Sequence, residues 1–277
     1  LWACMHRLWP GLQRKPRSFH VTPTHDVDAV CSIMGFPPHQ ALRSIAGDAL
    51  RRRDVPLAVR RTGAWLSRSL ALDPFNTFDF LMNESERYNL VSEFYFMTGD
   101  GRSTSDGTYS IDQPHVRELI SRIHDRGHII GYHASYNTMC DQDALKREVQ
   151  HFFTVMDDLG IEQPVWGGRQ HYLRFSNPET WQNWAEAGLD YDSTLSYADQ
   201  VGFRCGTCHE YPVYDLKSRR QLPLRERPLI VMEGTCLDER YMGIGFDELL
   251  DRCQELGAWC RAVDGTFVLL WHNSSLI

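Results

Sequence analysis

The sequence predicts an α/β chain, a distorted (β/α)7–8 barrel with a helical insertion after the first strand. Three observations carry that expectation. Short β-rich runs alternate with longer amphipathic runs along the chain, which is the signature of a mainly parallel sheet. About seven such units favour a barrel over an open doubly wound sheet. The stretch 36–76 breaks the rhythm: it reads as helical and is basic in "LRRRDVPLAVRR", so it is expected as an insertion near the barrel mouth. No repeat, low-complexity tract or linker divides residues 1–277, so a single domain is expected.

The elements follow in order. Strands are expected at 19–24, 92–98 ("SEFYFMT"), 128–133, 164–167, 191–195, 228–233 and 266–272, each short and rich in β-branched or aromatic residues. Between them, 114–126 carries Val116, Leu119, Ile120 and Ile123 on one helical face. Helices are also expected at 141–159, 178–187 and 246–263. Gly127 and Gly160 stand where helix C-caps belong.

Composition narrows the function. Hydrophobic residues make up 42% and charged ones 23%, a globular balance. A net charge of −7 offers no general attraction to phosphate backbones, so nucleic acid is excluded as a partner. Apolar runs such as "FVLLW" (267–271) are too short to span a bilayer, and no transmembrane segment is expected. The opening "LWACMHRLWPGLQRK" is interrupted by His6, Arg7 and Pro10 and does not read as a secretory apolar core. Eight scattered cysteines lack disulfide-scaffold spacing and read as reduced thiols, so a cytoplasmic location is expected.

Polar residues collect at the expected strand ends. In "VTPTHDVDAV", Asp26 and Asp28 point the same way from the end of the first strand, and such close like charges call for a cation or a proton between them. His25, their neighbour, faces the other way and reads as structural. His133 ends the third strand in "GYHASYNT"; Arg169, His171 and Tyr172 follow the fourth; Asp192 sits in the fifth; His272 ends the last in "LLWHNSS". Imidazole and carboxylate suit a borderline divalent cation, with a second carboxylate as base and a further histidine as acid. The set fits metal-assisted hydrolysis.

These motifs resemble the polysaccharide deacetylases of carbohydrate esterase family four, from about Phe19 onward. "THDVD" is similar to that family's first motif, "EFYFMTG" to its second strand, "GHIIGYHASYN" to its histidine motif, "GGRQHY" to its arginine–aromatic motif and "FVLLWH" to its closing strand. The resemblance implies a distorted barrel that hydrolyses acetyl groups, N-acetyl above all, on a carbohydrate or glycoconjugate. The partner would be an acetylated oligo- or polysaccharide and the cofactor a divalent metal, zinc. Carried over, Asp26 is the base, Asp28 and His133 are metal ligands, Arg169 orients Asp26 and His272 is the general acid. Asp192 is expected to orient His272, and Tyr136 and Tyr172 to touch substrate, the Tyr172 backbone N–H facing the oxyanion. One departure stands out: where the family places a second histidine four residues on, this chain has Asn137, so the third ligand is expected from His171, or else from Asn137.

Three rival readings remain at this stage. A non-catalytic carbohydrate binder on the same barrel would follow from Asn137 and from stacking aromatics such as Trp166, Tyr172, Trp181 and Trp184. "CGTCH" (205–209) fits the c-type haem attachment pattern, although buried thiols are the plainer reading. The basic run 51–61 could meet an anionic glycan or lipid head group, or be a solvated helix face.

Overall fold

The computed structural model describes residues 2–13, 16–99, 105–107 and 109–276. Its centre is a nine-stranded sheet curled into a half-barrel, in the order β6-β7-β5-β4-β3-β2-β1-β9-β8. The strands are β1 (His20–Val27), β2 (Glu93–Phe96), β3 (Ile129–Ala134), β4 (Gly167–Gln170), β5 (Tyr191–Asp192), β6 (Tyr211–Asp215), β7 (Arg220–Glu226), β8 (Val231–Met232) and β9 (Thr266–Leu270). Every pairing is parallel except β6 with β7. Parallel strands covered on both faces read as continuous buried runs, and β2 is buried at all four positions.

Helices close the outer face. The helix α1 (Trp2–Leu8) buries no side chain. Between β1 and β2 lie α2 (Pro38–Gly47), a π-turn at Asp48–Arg52, α3 (Val55–Ser67) and α4 (Phe78–Arg87). The next helix, α5 (Pro114–Asp125), buries Val116, Leu119, Ile120 and Ile123 as expected. It ends at Gly127, whose φ of 82° only glycine adopts at no cost. Asp141 caps α6 (Gln142–Asp158) by accepting from the Ala144 N–H at 2.9 Å. The set ends with α7 (Glu179–Glu186), α8 (Glu233–Leu237) and α9 (Phe246–Ala262). The main core joins Phe94, Phe96, Ile130, Tyr132, Phe152 and Trp184. No helix among the described residues is long and apolar enough to cross a membrane.

Several elements differ from the sequence expectation: the strand expected at 191–195 is only Tyr191–Asp192, and that expected at 228–233 is only Val231–Met232, with Glu233 opening α8. The fourth strand starts at Gly167, not at Pro164: Val165 is exposed and the Trp166 ring packs on Phe152 and Phe153, while the polar "GGRQ" runs through the interior. The antiparallel β6–β7 hairpin was not anticipated, although the exposed–buried alternation of β7 is a strand signal. The 36–76 interval is helical as read.

Gly168 shows how tightly β4 is pressed onto β3. A Cβ there would fall 1.7 Å from the Tyr132 carbonyl oxygen. Gly257, inside α9, has no atom within 4 Å of such a Cβ. Gly168→Ala should therefore cost at least about 3 kcal/mol in chemical denaturation, the upper end of ordinary overpacking. Gly257→Ala should add about 0.5–1 kcal/mol.

Candidate functional site

The C-terminal ends of β1, β4, β8 and β9 converge on a cleft of about 260 Å³ whose lining includes Asp26, Asp28, His171, Tyr172, Met232 and His272. Alternation along β1 decides which side chains enter it. Asp26 and Asp28 point in; His25 points out, its Nδ1 against the Trp271 carbonyl at 2.8 Å and its ring on Phe94. Burial pushes His25 down to about 4, so it is neutral and structural, as expected.

Asp26 is buried against Arg169. The guanidinium donates to Asp26 Oδ1 at 2.7 Å and is itself fixed by Thr24 Oγ1 and by the Ser193 carbonyl and hydroxyl. Burial alone would raise the Asp26 carboxyl, yet the Arg169 charge together with His133 and His272 outweighs it and holds the group below the ordinary carboxylate range.

Asp28 meets three imidazoles. His133 Nε2 lies 3.2 Å and His171 Nε2 3.5 Å from Asp28 Oδ1, and His272 Nε2 lies 3.7 Å from Oδ2. Against burial, the His133 and His171 contacts hold the Asp28 carboxyl far below its usual range. The outer nitrogen of each ring is already engaged. His133 Nδ1 bonds to the Arg169 carbonyl at 2.8 Å, and His171 Nδ1 to Asp106 Oδ1 at 3.1 Å. Donation at Nδ1 leaves the Nε2 lone pair directed inward, the tautomer that a metal ligand needs. Asp28, His133 and His171 form the one group of three His, Cys, Asp or Glu donors among the described residues that can hold a metal ion. Asp28 Oδ1 and His133 Nε2 are buried with no hydrogen-bond partner, as atoms reserved for a cation would be. The residues fit the group.

His171 therefore joins the cluster, whereas Asn137 is exposed on the turn that follows β3. His171 is raised from its ordinary value because Asp28 and Asp106 outweigh burial. Carboxylates that favour a proton there favour a cation equally.

His272 is oriented by Glu233, and the expectation for Asp192 is corrected here. Glu233 Oε1 accepts from His272 Nδ1 at 2.6 Å, from the His272 backbone N–H at 2.9 Å and from the Ser275 hydroxyl at 2.8 Å. Burial would lower His272, but Glu233 outweighs it and the imidazole is pushed up to about 9. Asp192 lies deeper, taking the Thr194 N–H and hydroxyl, with Glu226 opposite it across β5 and β7. Residue order misled because β8 and β9 pair directly while β5 is five strands away from β9 in the sheet. The signal that could have found Glu233 was a carboxylate at the end of the expected strand 228–233. Asp106 had no such signal.

Tyr172 stands 63% exposed at the rim, its ring edge-on to Tyr136 at 5.5 Å, and Arg174 covers the Tyr136 ring at 3.9 Å. The tryptophans do not reach this rim: Trp184 is core, Trp166 packs on Phe152, and Trp181 donates to Glu226. All eight cysteines are free thiols, and Cys208 of "CGTCH" packs against Gly265 beside β9.

No protein-family model matches the chain, and no curated protein matches its sequence. Solved structures do. A protein described as a polysaccharide deacetylase from Mycobacterium smegmatis aligns with a TM-score of 0.58 at 18% identity, over 95% of this chain and 79% of that one. A second, described as a polysaccharide deacetylase from Pseudomonas aeruginosa PAO1, gives 0.51 at 11% identity over 95% and 83%. At these identities the likeness establishes a shared fold.

Asp192 and Glu226 make a measurable pair. Burial raises Asp192 to about 7, and burial together with Asp192 raises Glu226 well above its ordinary value. At this pair the folded state thus binds more protons than the unfolded one above the ordinary carboxylate range, and the pair's contribution to stability falls as pH rises from about 4 to about 7, against the opposite contribution of buried His25. Asp192→Asn should flatten that fall, as read from urea midpoints across the interval.

Proposed function

We propose that this protein is a metal-dependent hydrolase that removes acetyl groups, N-acetyl above all, from a carbohydrate or glycoconjugate. The observation that carries the reading is the division of labour inside one cleft. Asp28, His133 and His171 share a focus, Asp26 is held ionised by Arg169, and His272 is held protonated by Glu233. A non-catalytic sugar binder has no use for such an arrangement. The two fold relatives described as polysaccharide deacetylases agree with it.

Asp28, His133 and His171 would hold the cation, and two nitrogens with one carboxylate oxygen suit zinc with a position left open. When bound, the ion acidifies a water and polarises the acetyl carbonyl. Asp26, ionised at neutral pH, takes the proton from the attacking water. The oxygen of that water bonds to the acetyl carbon as the carbonyl π electrons move to its oxygen, and their return breaks the C–N bond. His272, protonated because Glu233 balances its charge, gives its proton to the departing nitrogen. Acetate and a free amino sugar result, and the proton on Asp26 restores His272 through solvent. The Tyr172 backbone N–H is assigned to the developing oxyanion, where one lost donor costs about 2.7–4 kcal/mol. The Tyr136 and Tyr172 rings are assigned to the sugar at the rim.

Asp26→Asn should abolish acetate release from acetylated chitooligosaccharide while bound metal, measured by inductively coupled plasma mass spectrometry, is retained. Activity at the parent level would remove Asp26 from the base role. His171→Ala should lower metal occupancy, and Asp106→Asn should weaken metal affinity by about 10–100-fold, the usual effect of losing an outer-shell partner. Full occupancy in both would return the third position to Asn137 or water.

A further inference from the structure

The proposed reaction leaves one wall of the cleft without a task. Beyond Met232, the lining continues through Gly234, Asp238, Arg240 and Tyr241. Tyr172 follows β4 and Tyr241 follows β8, at opposite ends of the run β4-β3-β2-β1-β9-β8, and the β1 carboxylates lie between them. The cleft thus has two lips that carry an exposed tyrosine each, Tyr172 on one and Tyr241, 45% exposed, on the other.

The second lip is built, not loose. It is the turn that ends α8: the Asp238 carbonyl accepts from the Tyr241 and Gly243 N–H groups at 2.9 and 3.1 Å. The Met242 and Ile244 N–H groups return to the Thr235 and Cys236 carbonyls at 3.1 and 2.9 Å. The Asp238 carboxylate accepts from the Arg240 backbone N–H at 2.9 Å, from its Nε at 3.0 Å and from its Nη2 at 2.6 Å. Those donors hold Asp238 down to about 2. The pair is therefore neutral as a unit, which suits hydroxyl groups better than a carboxylate or a phosphate. The Arg240 guanidinium in turn lies 5.9 Å from the centre of the Tyr241 ring.

Chemistry decides which part of a substrate meets this lip. Glu233, which holds His272, is the first residue of α8, so the acid and the lip belong to one short element. In the proposed reaction His272 protonates the departing nitrogen, and that nitrogen carries the sugar. At about 260 Å³ the cleft lies below the ~300–1,000 Å³ of pockets that hold drug-sized ligands, which leaves room for one sugar unit. We propose that Tyr241 and the Asp238–Arg240 pair are specificity-determining residues for that unit. Tyr241 packs on the C–H face of the sugar ring, and Arg240 donates to its hydroxyls. This assignment rests on the hydrolase reading and adds to it the wall that selects the leaving group.

The test compares acetate release by the zinc-loaded full chain from acetylated chitooligosaccharide and from phenyl acetate, an acetyl ester without a sugar. Tyr241→Ala should raise KM for the oligosaccharide by about twofold to tenfold, the range expected for one lost ring contact, with a smaller change in kcat. The ratio of kcat/KM for oligosaccharide over phenyl acetate should fall accordingly. Tyr241→Phe, which keeps the ring, should restore it, and Arg240→Gln should lower it. Tyr214→Ala, an exposed tyrosine on β6 outside the cleft lining, should leave the ratio at the parent value. A parent-level ratio in Tyr241→Ala overturns this assignment alone, as does turnover of phenyl acetate without turnover of the oligosaccharide. Turnover of neither substrate overturns the hydrolase reading, and this assignment with it.

Discussion

Negative charge at the end of β1 sets the terms for everything around it. Two carboxylates two residues apart enter a mostly buried cleft, and an unpaired buried charge costs several kcal/mol. Asp26 is balanced by Arg169, a residue with no exposed surface whose donors are shared among Asp26, Thr24 and Ser193 and whose plane lies 5.1 Å from the Tyr95 ring. Asp28 has no arginine or lysine within ion-pair distance among the described residues; its neighbours are imidazoles. Imidazoles are weak counter-charges unless they bind protons or share a cation, and that difference separates the two aspartates chemically.

The surrounding shell keeps them separate. Asp106 and the Arg169 carbonyl occupy the outer nitrogens of His171 and His133, and Glu233 occupies that of His272. Three rings of the same type thereby face one carboxylate with different tasks open to them. The ring beside Glu233 is pushed up to about 9, while Asp26 stays below the ordinary range. Under the proposed reading, this asymmetry keeps a proton acceptor and a proton donor together at neutral pH, as hydrolysis requires.

Much of this was legible in the sequence. Strand-end positions gave Asp26, Asp28, His133, Arg169, His171 and His272, because a parallel sheet sends the C-terminal ends of its strands to one side whatever their order. Asp192 was placed wrongly with His272, since linear spacing says nothing about which strands become neighbours. Glu233 and Asp106 act through tertiary contacts, and a lone carboxylate in a loop or strand end carries no periodic signal. The shift of β4 has the same origin: "GGRQ" is polar by composition, yet its interior position is fixed by the Arg169–Asp26 pair and by glycines that let β3 come close.

The origin of His171 has a structural consequence. A second histidine four residues after His133 would place two donors on one short segment. Here Asp28, His133 and His171 come from β1, β3 and β4, and two strands stand between β1 and β4 in the sheet. On a flat sheet that separation is roughly 14 Å at ~4.8 Å per strand, but Asp28 and His171 lie 3.5 Å apart and Asp26 and Arg169 2.7 Å. Side chains bridge part of the gap; the curl of the sheet supplies the rest. The donor set is thus a report on sheet curvature, and a cation bound to it would hold that curvature in place. Its binding free energy would add to the stability of the folded chain, which ties metal affinity to the close β3–β4 approach that Gly168 permits.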